Sequence, residues 1–166
     1  MNDLQNDCPC EVAGEPGATG EPGATGEPGT TGELVVPAQL DNLERVQDFV
    51  REQLERMDCP PAAQYQLVVA LEEMFVNVCY YAYADKDEPG DVRVAYVCGF
   101  DPPAVTVQLV DSGVPFDPLA YDPELPTDVK TAKIGGLGIH MSRKCTDDFS
   151  YVRDGDYNVV SFSKRW

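Results

Sequence analysis

Residues 71–83, LEEMFVNVCYYAY, decide the fold of this chain. Most positions in the stretch are apolar, which predicts a central helix that is buried on most of its circumference. The polar exceptions are Glu72, Glu73 and Asn77. Glu73 and Asn77 are four residues apart, so both side chains project from one face of the helix. This pair is the first candidate functional site.

Two chemical roles suit the pair. Burial among apolar neighbours disfavours the charged form of a carboxylate, so Glu73 would be a better proton acceptor than a free surface acid. The amide oxygen of Asn77 is a hard ligand suited to Mg²⁺, which takes few protein ligands. A hydrogen-bonded polar pair in the core, or an exposed helix edge, would also explain the pattern. Glu72 points about 100° away from Glu73 and is expected to be solvated.

The patterns outward from this helix predict an α/β sandwich. The order is strand, helix, helix, two strands, long loop, helix, two strands. We expect the helices on one face of a mixed, mostly antiparallel sheet. The predicted elements are a strand in LVVPA (34–38), helices from about 43 to 57, 62 to 83 and 135 to 144, strands DVRVAYVCGF (91–100) and AVTVQLVDSG (104–113), and a closing hairpin about Asp154–Gly155.

A second candidate patch is VQLVDSGVPFDP, residues 107–118. Asp111 ends a strand and can accept a hydrogen bond from an amino group such as that of adenine. Gly113 would let a flat ring approach the backbone. Phe116 could pack on a base or into the core. An ordinary Asp–Ser–Gly turn explains the same letters.

A third patch is KIGGLGIHMSRK, residues 133–144. Gly135, Gly136 and Gly138 precede a helix, where exposed N–H groups and the helix dipole favour an anion. Lys133 could neutralise phosphate or be an ordinary solvated lysine. The segment is neither a P-loop nor a Rossmann turn. The long loop before it, residues 115–133, is predicted to cover a ligand.

Composition limits the possible partners and the compartment. The formal net charge of −17 argues against nucleic-acid binding, which calls for a basic footprint. No apolar run reaches the roughly 18 residues needed to span a membrane, and the amino end does not resemble a signal peptide. We therefore expect a cytoplasmic protein with reduced cysteines. Cys8 and Cys10 form a pair that could take a metal.

Residues 1–33 are predicted to form a disordered acidic arm. Glycine occupies every third position from Gly14 to Gly32 in GEPGAT repeats, a phasing typical of collagen. Without apolar side chains the arm cannot offset the entropy of ordering, so we favour an extended linker. A trimerising triple helix is the alternative. The folded domain is predicted over residues 34–166.

Taken together, these patches resemble the GHKL ATPase superfamily, and most closely its anti-sigma-factor serine/threonine kinases, represented by RsbW-like proteins. The resemblance runs from Leu34 to Lys164. ALEEMFVNVCYYAY (70–83) is similar to the N box of that family, which implies a catalytic carboxylate at Glu73 and a magnesium ligand at Asn77. VDSGVPFDP (110–118) is similar to the G1 box, which implies that Asp111 binds the adenine amino group above Gly113.

The same resemblance extends to the phosphate-binding segment and the last strand. IGGLGIHMSRK (134–144) is similar to the end of the ATP lid, and its implied phosphate-facing residues are Gly135, Gly136, Leu137 and Gly138. NVVSFSK (158–164) is similar to the closing strand, with Ser161 where relatives often have a Thr that helps bind adenine through water. The sequence departs at Tyr81, where many relatives carry a histidine.

The function implied by the resemblance is regulatory. Such proteins, usually homodimers, use ATP and Mg²⁺, hold a sigma factor inactive, and phosphorylate a Ser or Thr of a STAS-fold anti-anti-sigma protein. The alternative is an ATP-binding module that sequesters its partner without phosphoryl transfer.

Overall fold

The computed structural model describes residues 29–120 and 136–166. The arm before Gly29, with the Cys8–Cys10 pair, lies outside the described residues, as do Lys133 and Gly135 in the predicted lid. The elements are β1 (Thr31–Pro37), α1 (Leu43–Arg56), α2 (Pro61–Asn77), β2 (Asp91–Phe100), β3 (Pro103–Asp111), α3 (Gly136–Cys145), β4 (Asp148–Asp154) and β5 (Tyr157–Arg165).

The five strands form one sheet in the order β1-β2-β3-β5-β4. All four neighbouring pairs are antiparallel. Hairpins join β2 to β3 and β4 to β5. The connection from β3 to β4 contains α3, and β5 lies between these two strands in the sheet. The predicted α/β sandwich is confirmed, with the difference that no pair among these strands is parallel.

The core lies between the three helices and one face of the sheet. Alternate residues of β2, namely Val92, Val94, Tyr96 and Cys98, are buried, as expected for a strand with one face on a core. The side chain of Phe75 in α2 is fully buried. Truncation of such a residue to alanine costs about 3–5 kcal/mol of stability. The prediction of α2 as a central buried helix is confirmed.

The sheet begins three residues before the predicted domain boundary at Leu34. Thr31 and Gly32 already pair with Val97 and Tyr96 of β2. A Cβ built on Gly32 would overlap the ring of Tyr96, so the last glycine of the triplet series lets β1 lie close to that ring. The residues at the end of the predicted arm therefore form the start of an edge strand.

The second helix changes its winding after Asn77. A π-helical turn covers Val78–Ala82, where a continuous α-helix to Tyr83 was predicted. The carbonyl of Ala82 accepts a hydrogen bond of 2.9 Å from the Val114 N–H. The wider turn thus brings the end of this helix against the loop that follows β3, and π-turns of this kind are frequent at functional sites.

Candidate nucleotide site

The carboxylate of Glu73 lies directly against α3. A Cβ built on Gly138 would overlap Glu73 Oε2 and would lie 2.7 Å from Glu73 Cδ. Only glycine leaves that space, and Gly138 lies in the first turn of a helix that begins at Gly136. The structure therefore brings the first and third candidate patches into contact, although they are far apart in the sequence.

Glu73 and Glu72 have different environments. Burial, and secondarily repulsion from Glu72, raises the pKa of the Glu73 carboxyl above its usual value. Glu72 instead accepts a hydrogen bond of 2.9 Å from Gln47 Nε2 on α1. The two adjacent acids therefore point to different neighbours, and Glu73 is the one with the character of a proton acceptor.

A cleft opens between the end of α2 and the strands β3 and β5. Its walls are mostly apolar, and the polar side chains are few, which is typical of a small-molecule site. Phe116, one of the predicted residues, lines the cleft and is 40% exposed. The complete lining is Met74, Asn77, Val78, Tyr81, Ala82, Leu109, Asp111, Val114, Phe116, Pro118, Asn158 and Val160.

Asn77 has an unsatisfied amide in this cleft. Its Nδ2 is buried and has no hydrogen-bond partner within the described residues, and an unpaired buried polar group costs about 1–3 kcal/mol. Rotating the amide by 180° exchanges Nδ2 with Oδ1 at almost no change in shape, so either amide atom can take the position that has no partner. No group of three or more acidic, histidine or cysteine side chains in the described parts of the chain could hold a metal, and the single amide suits Mg²⁺, which keeps several waters.

Asp111 is 5% exposed at the floor of the cleft. Its Oδ1 accepts hydrogen bonds of 2.9 Å from the Gly113 N–H and from Asn158 Nδ2. Both bonds use the same oxygen, and within the described residues Oδ2 accepts none. The second oxygen is therefore available to a ligand that donates a hydrogen bond.

Gly113 has a packing role of its own. A Cβ at this position would overlap the carbonyl oxygen of Ala82 and would lie 2.7 Å from its carbonyl carbon. Glycine is needed because the loop after β3 approaches the π-helical turn so closely. The predicted position of Gly113 beneath an adenine ring stays a prediction.

The structure separates Ser161 from the cleft. Asp111 pairs with Asn158 and Leu109 with Val160, whereas Ser161 pairs with Gln108. Because side chains alternate along a strand, Ser161 projects from the opposite face of the sheet, where its hydroxyl lies 3.2 Å from Gln108 Nε2. This placement contradicts the predicted contact of Ser161 with adenine.

Asn158 is the residue that the sequence analysis missed. It lies three positions earlier on the same strand, is 3% exposed, and faces Asp111 in the cleft. Tyr151 and Arg153 of β4 both donate hydrogen bonds of 2.9 Å to its Oδ1. The available signal was the register between β3 and β5, which places the partner of Asp111 opposite it.

The remaining predicted residues lie on or before α3. Gly136 and Leu137 form the start of this helix, whereas Lys133 and Gly135 are outside the described residues. Gly138, in the first turn of α3, lies next to Glu73, and phosphate binding by this segment stays a prediction.

Comparison with known proteins identifies the architecture. Residues 36–164 match the sequence model of the histidine kinase-like ATPase domain. The fold is similar to a crystal structure of the RsbU and RsbW domains of Rv1364c from Mycobacterium tuberculosis, with a TM-score of 0.59 and 15% identity over 82% of this chain and 32% of that one. It is also similar to the SiaB–SiaC complex from Pseudomonas aeruginosa, with a TM-score of 0.54 and 14% identity over 81% of this chain and 89% of that one.

At these identities the two structures establish the fold alone. The chain spans only about a third of the first of them. No curated protein sequence matches the chain significantly.

Within the described residues, no helix has the length and apolar character needed to cross a membrane.

Proposed function

Because this chain belongs to the histidine kinase-like ATPase domain family, we propose that it is an ATP-dependent serine/threonine kinase of the anti-sigma-factor type. In this proposal it binds ATP and Mg²⁺ in the cleft and transfers a phosphoryl group to a Ser or Thr of a STAS-fold partner protein. It also holds a sigma factor inactive, acts as a homodimer and works in the cytoplasm.

The observation that supports this proposal most directly is the contact between Glu73 and Gly138. In this contact a carboxyl group with a raised pKa lies against the first turn of α3. The start of a helix favours anions because of its dipole. Asn77, one helical turn further along, and Asp111 line the adjoining cleft. Asn77 and Asp111 thus share the cleft, and Glu73 lies one helical turn before Asn77 on the same helix.

Each residue has a role that follows from its chemistry. Glu73 would accept the proton of the attacking hydroxyl, and Asp111 Oδ2 would accept a hydrogen bond from the adenine amino group. Asn77 would hold Mg²⁺ through its amide oxygen. When bound, that ion supplies charge neutralisation between the phosphates. Lys133 and the segment Gly135–Gly138 would bind the phosphates.

The proposed partners rest on the resemblance to anti-sigma-factor kinases. Support comes from the similarity of the fold to a structure that contains an RsbW domain and to one solved as the SiaB–SiaC complex. A strongly acidic chain also suits a protein partner better than a nucleic acid. A pull-down from the native cytosol, with and without ATP and Mg²⁺, would identify the partner.

The test of the kinase activity is transfer of label from γ-labelled ATP to a cognate STAS protein. Glu73→Gln should bind ATP normally and lose transfer by at least about 100-fold, the lower scale of general-base catalysis. The matched control is Glu72→Gln, which changes the adjacent acid that bonds Gln47 instead. Transfer at the wild-type rate by Glu73→Gln would remove Glu73 as the base.

The rival function is a module that binds ATP and sequesters its partner without transfer. One observation favours it: Tyr81 lines the cleft at the position where many relatives have a histidine. Wild-type protein that binds ATP and the STAS partner but labels no residue on it would support this rival and contradict the kinase proposal.

A further inference from the structure

The β4–β5 hairpin holds the loop that follows Asp111. Asn158 Nδ2 donates to Asp111 Oδ1 at 2.9 Å and to the Val114 carbonyl at 3.0 Å. Arg153 Nη1 donates to the Gly113 carbonyl at 3.2 Å and to Asn158 Oδ1 at 2.9 Å. Two side chains of the hairpin thus fix both the carboxylate and the backbone beside it.

The orientation of the Asn158 amide is fixed by its neighbours. Nδ2 faces two acceptors, whereas Oδ1 accepts from the Tyr151 hydroxyl, from Arg153 and, at 3.4 Å, from the Phe116 N–H. A flipped amide would set oxygen against oxygen and N–H against N–H. Asn77 has no such constraint, because its Nδ2 has no partner within the described residues.

These contacts leave Asn158 with no group to offer a ligand. Both of its amide hydrogens and its oxygen are used within the protein, and the residue is buried. Its effect on a ligand must therefore pass through the residues that it holds, and among them Asp111 is the one with a side-chain acceptor. Because Asn158 and the Gly113 N–H both bond Oδ1, the Oδ2 atom of that carboxylate has no partner within the described residues.

We propose that Asn158 and Arg153 are positioning residues that set the Asp111 carboxylate to accept the amino group of an adenine base, and so confer selectivity for adenine nucleotides. This inference rests on the proposed function, since it takes the cleft to be a nucleotide site. Arg153 holds the amide of Asn158, and the amide in turn holds the carboxylate.

The test compares binding of ATP and of ITP to the full chain with Mg²⁺ present, by calorimetry. ITP has a carbonyl oxygen where ATP has the amino group, so it cannot donate to Asp111. We expect wild-type protein to bind ATP about tenfold or more tightly than ITP, the scale of one hydrogen bond to a charged group. Equal binding of the two nucleotides would overturn the inference.

The decisive variant is Asn158→Asp. The new carboxylate has nearly the same shape and still accepts from Tyr151 and Arg153, but it cannot donate to Asp111 and repels it. ATP should bind about tenfold more weakly while ITP changes less than about twofold, so the ATP/ITP preference disappears. An equal loss for both nucleotides would mean a merely structural role and would overturn the inference.

A second variant tests the role of Arg153, and a control variant tests whether any change in this strand has the same effect. Arg153→Leu removes the donor that holds Asn158 and should lower the ATP/ITP preference by about threefold. Ser150→Ala, on the same strand as Arg153 but in an exposed position on its other face, should leave the preference unchanged. If the ATP/ITP preference persists in both Asn158→Asp and Arg153→Leu, the inference about these two residues is wrong but the proposed function stands. If wild-type protein binds neither nucleotide, the proposed function is wrong as well.

Discussion

Gly138 leaves the space that the carboxylate of Glu73 occupies. Oε2 of Glu73 lies where a side chain at position 138 would begin, and no other residue type permits that contact. The glycine is therefore needed for the observed position of the acid. Helix α2 provides the carboxylate, and α3 determines where it lies.

Replacement of this glycine tests that relationship. In Gly138→Ala the new methyl group would displace the end of the Glu73 side chain, which is flexible, so the fold should persist. We expect phosphoryl transfer to fall by about 10- to 100-fold, because small misplacement of a reacting group is costly. Steady-state transfer rates and thermal unfolding of the same sample provide the measurement.

Gly99→Ala is the matched control for that substitution. A Cβ at Gly99 would meet only ordinary contacts at 3.8 Å, with Ala104 Cβ and the Pro102 carbonyl. This variant should keep the wild-type transfer rate. Equal loss in both variants, or full activity in Gly138→Ala, would show that the contact with Glu73 has no part in transfer.

The raised pKa of Glu73 predicts an effect on stability. A carboxyl whose pKa is higher in the folded state stabilises the protein below its unfolded pKa, about 4.3, and that contribution is lost as the pH rises through the folded value. Glu73→Gln should therefore unfold at a higher temperature than wild type at pH 7. The difference should shrink towards about pH 4, where both side chains are mostly neutral.

Thermal unfolding at several pH values measures this difference. Glu55→Gln, which changes an exposed acid of α1, serves as the control and should stay within about 0.5 kcal/mol of wild type at every pH. A Glu73→Gln variant that is less stable than wild type at pH 7 would mean that the ionised carboxylate is well solvated or paired.

The placement of Ser161 gives a prediction of no effect. Its side chain projects from the sheet face opposite the cleft and contacts Gln108. Ser161→Ala should therefore bind ATP with wild-type affinity. A clear loss of affinity in a fluorescence or calorimetric titration would return Ser161 to the site and would mean that the register between β3 and β5 is different.

Local patterns were sufficient to predict most of the fold. The apolar run around Phe75 predicted a buried helix, and the alternation in residues 91–100 predicted a strand with one buried face. The proximity of Glu73 to the glycine-rich segment was implied by the resemblance of the three patches to one family. These features depend on neighbours close in sequence, or on a family pattern that covers most of the chain.

What the sequence analysis missed depends on contacts between distant residues. The partner of Asp111 is Asn158, 47 residues later, and only the strand register distinguishes it from Ser161. The π-helical turn at Val78–Ala82 was also not predicted, and it accompanies the close approach of Gly113 to Ala82, a contact between residues distant in the sequence. Helical periodicity contains no information about that approach.

The central claim is that three distant segments form one nucleotide pocket, and titration of ATP with Mg²⁺ into wild-type protein and Asp111→Asn tests it most directly. The asparagine keeps an oxygen for Gly113 and Asn158 but turns an N–H₂ group towards the ligand. The account predicts one ATP bound per wild-type chain and a loss of about 1–3 kcal/mol in the variant, with the fold intact. Equal affinity in the two proteins, or no binding by wild type, would contradict it.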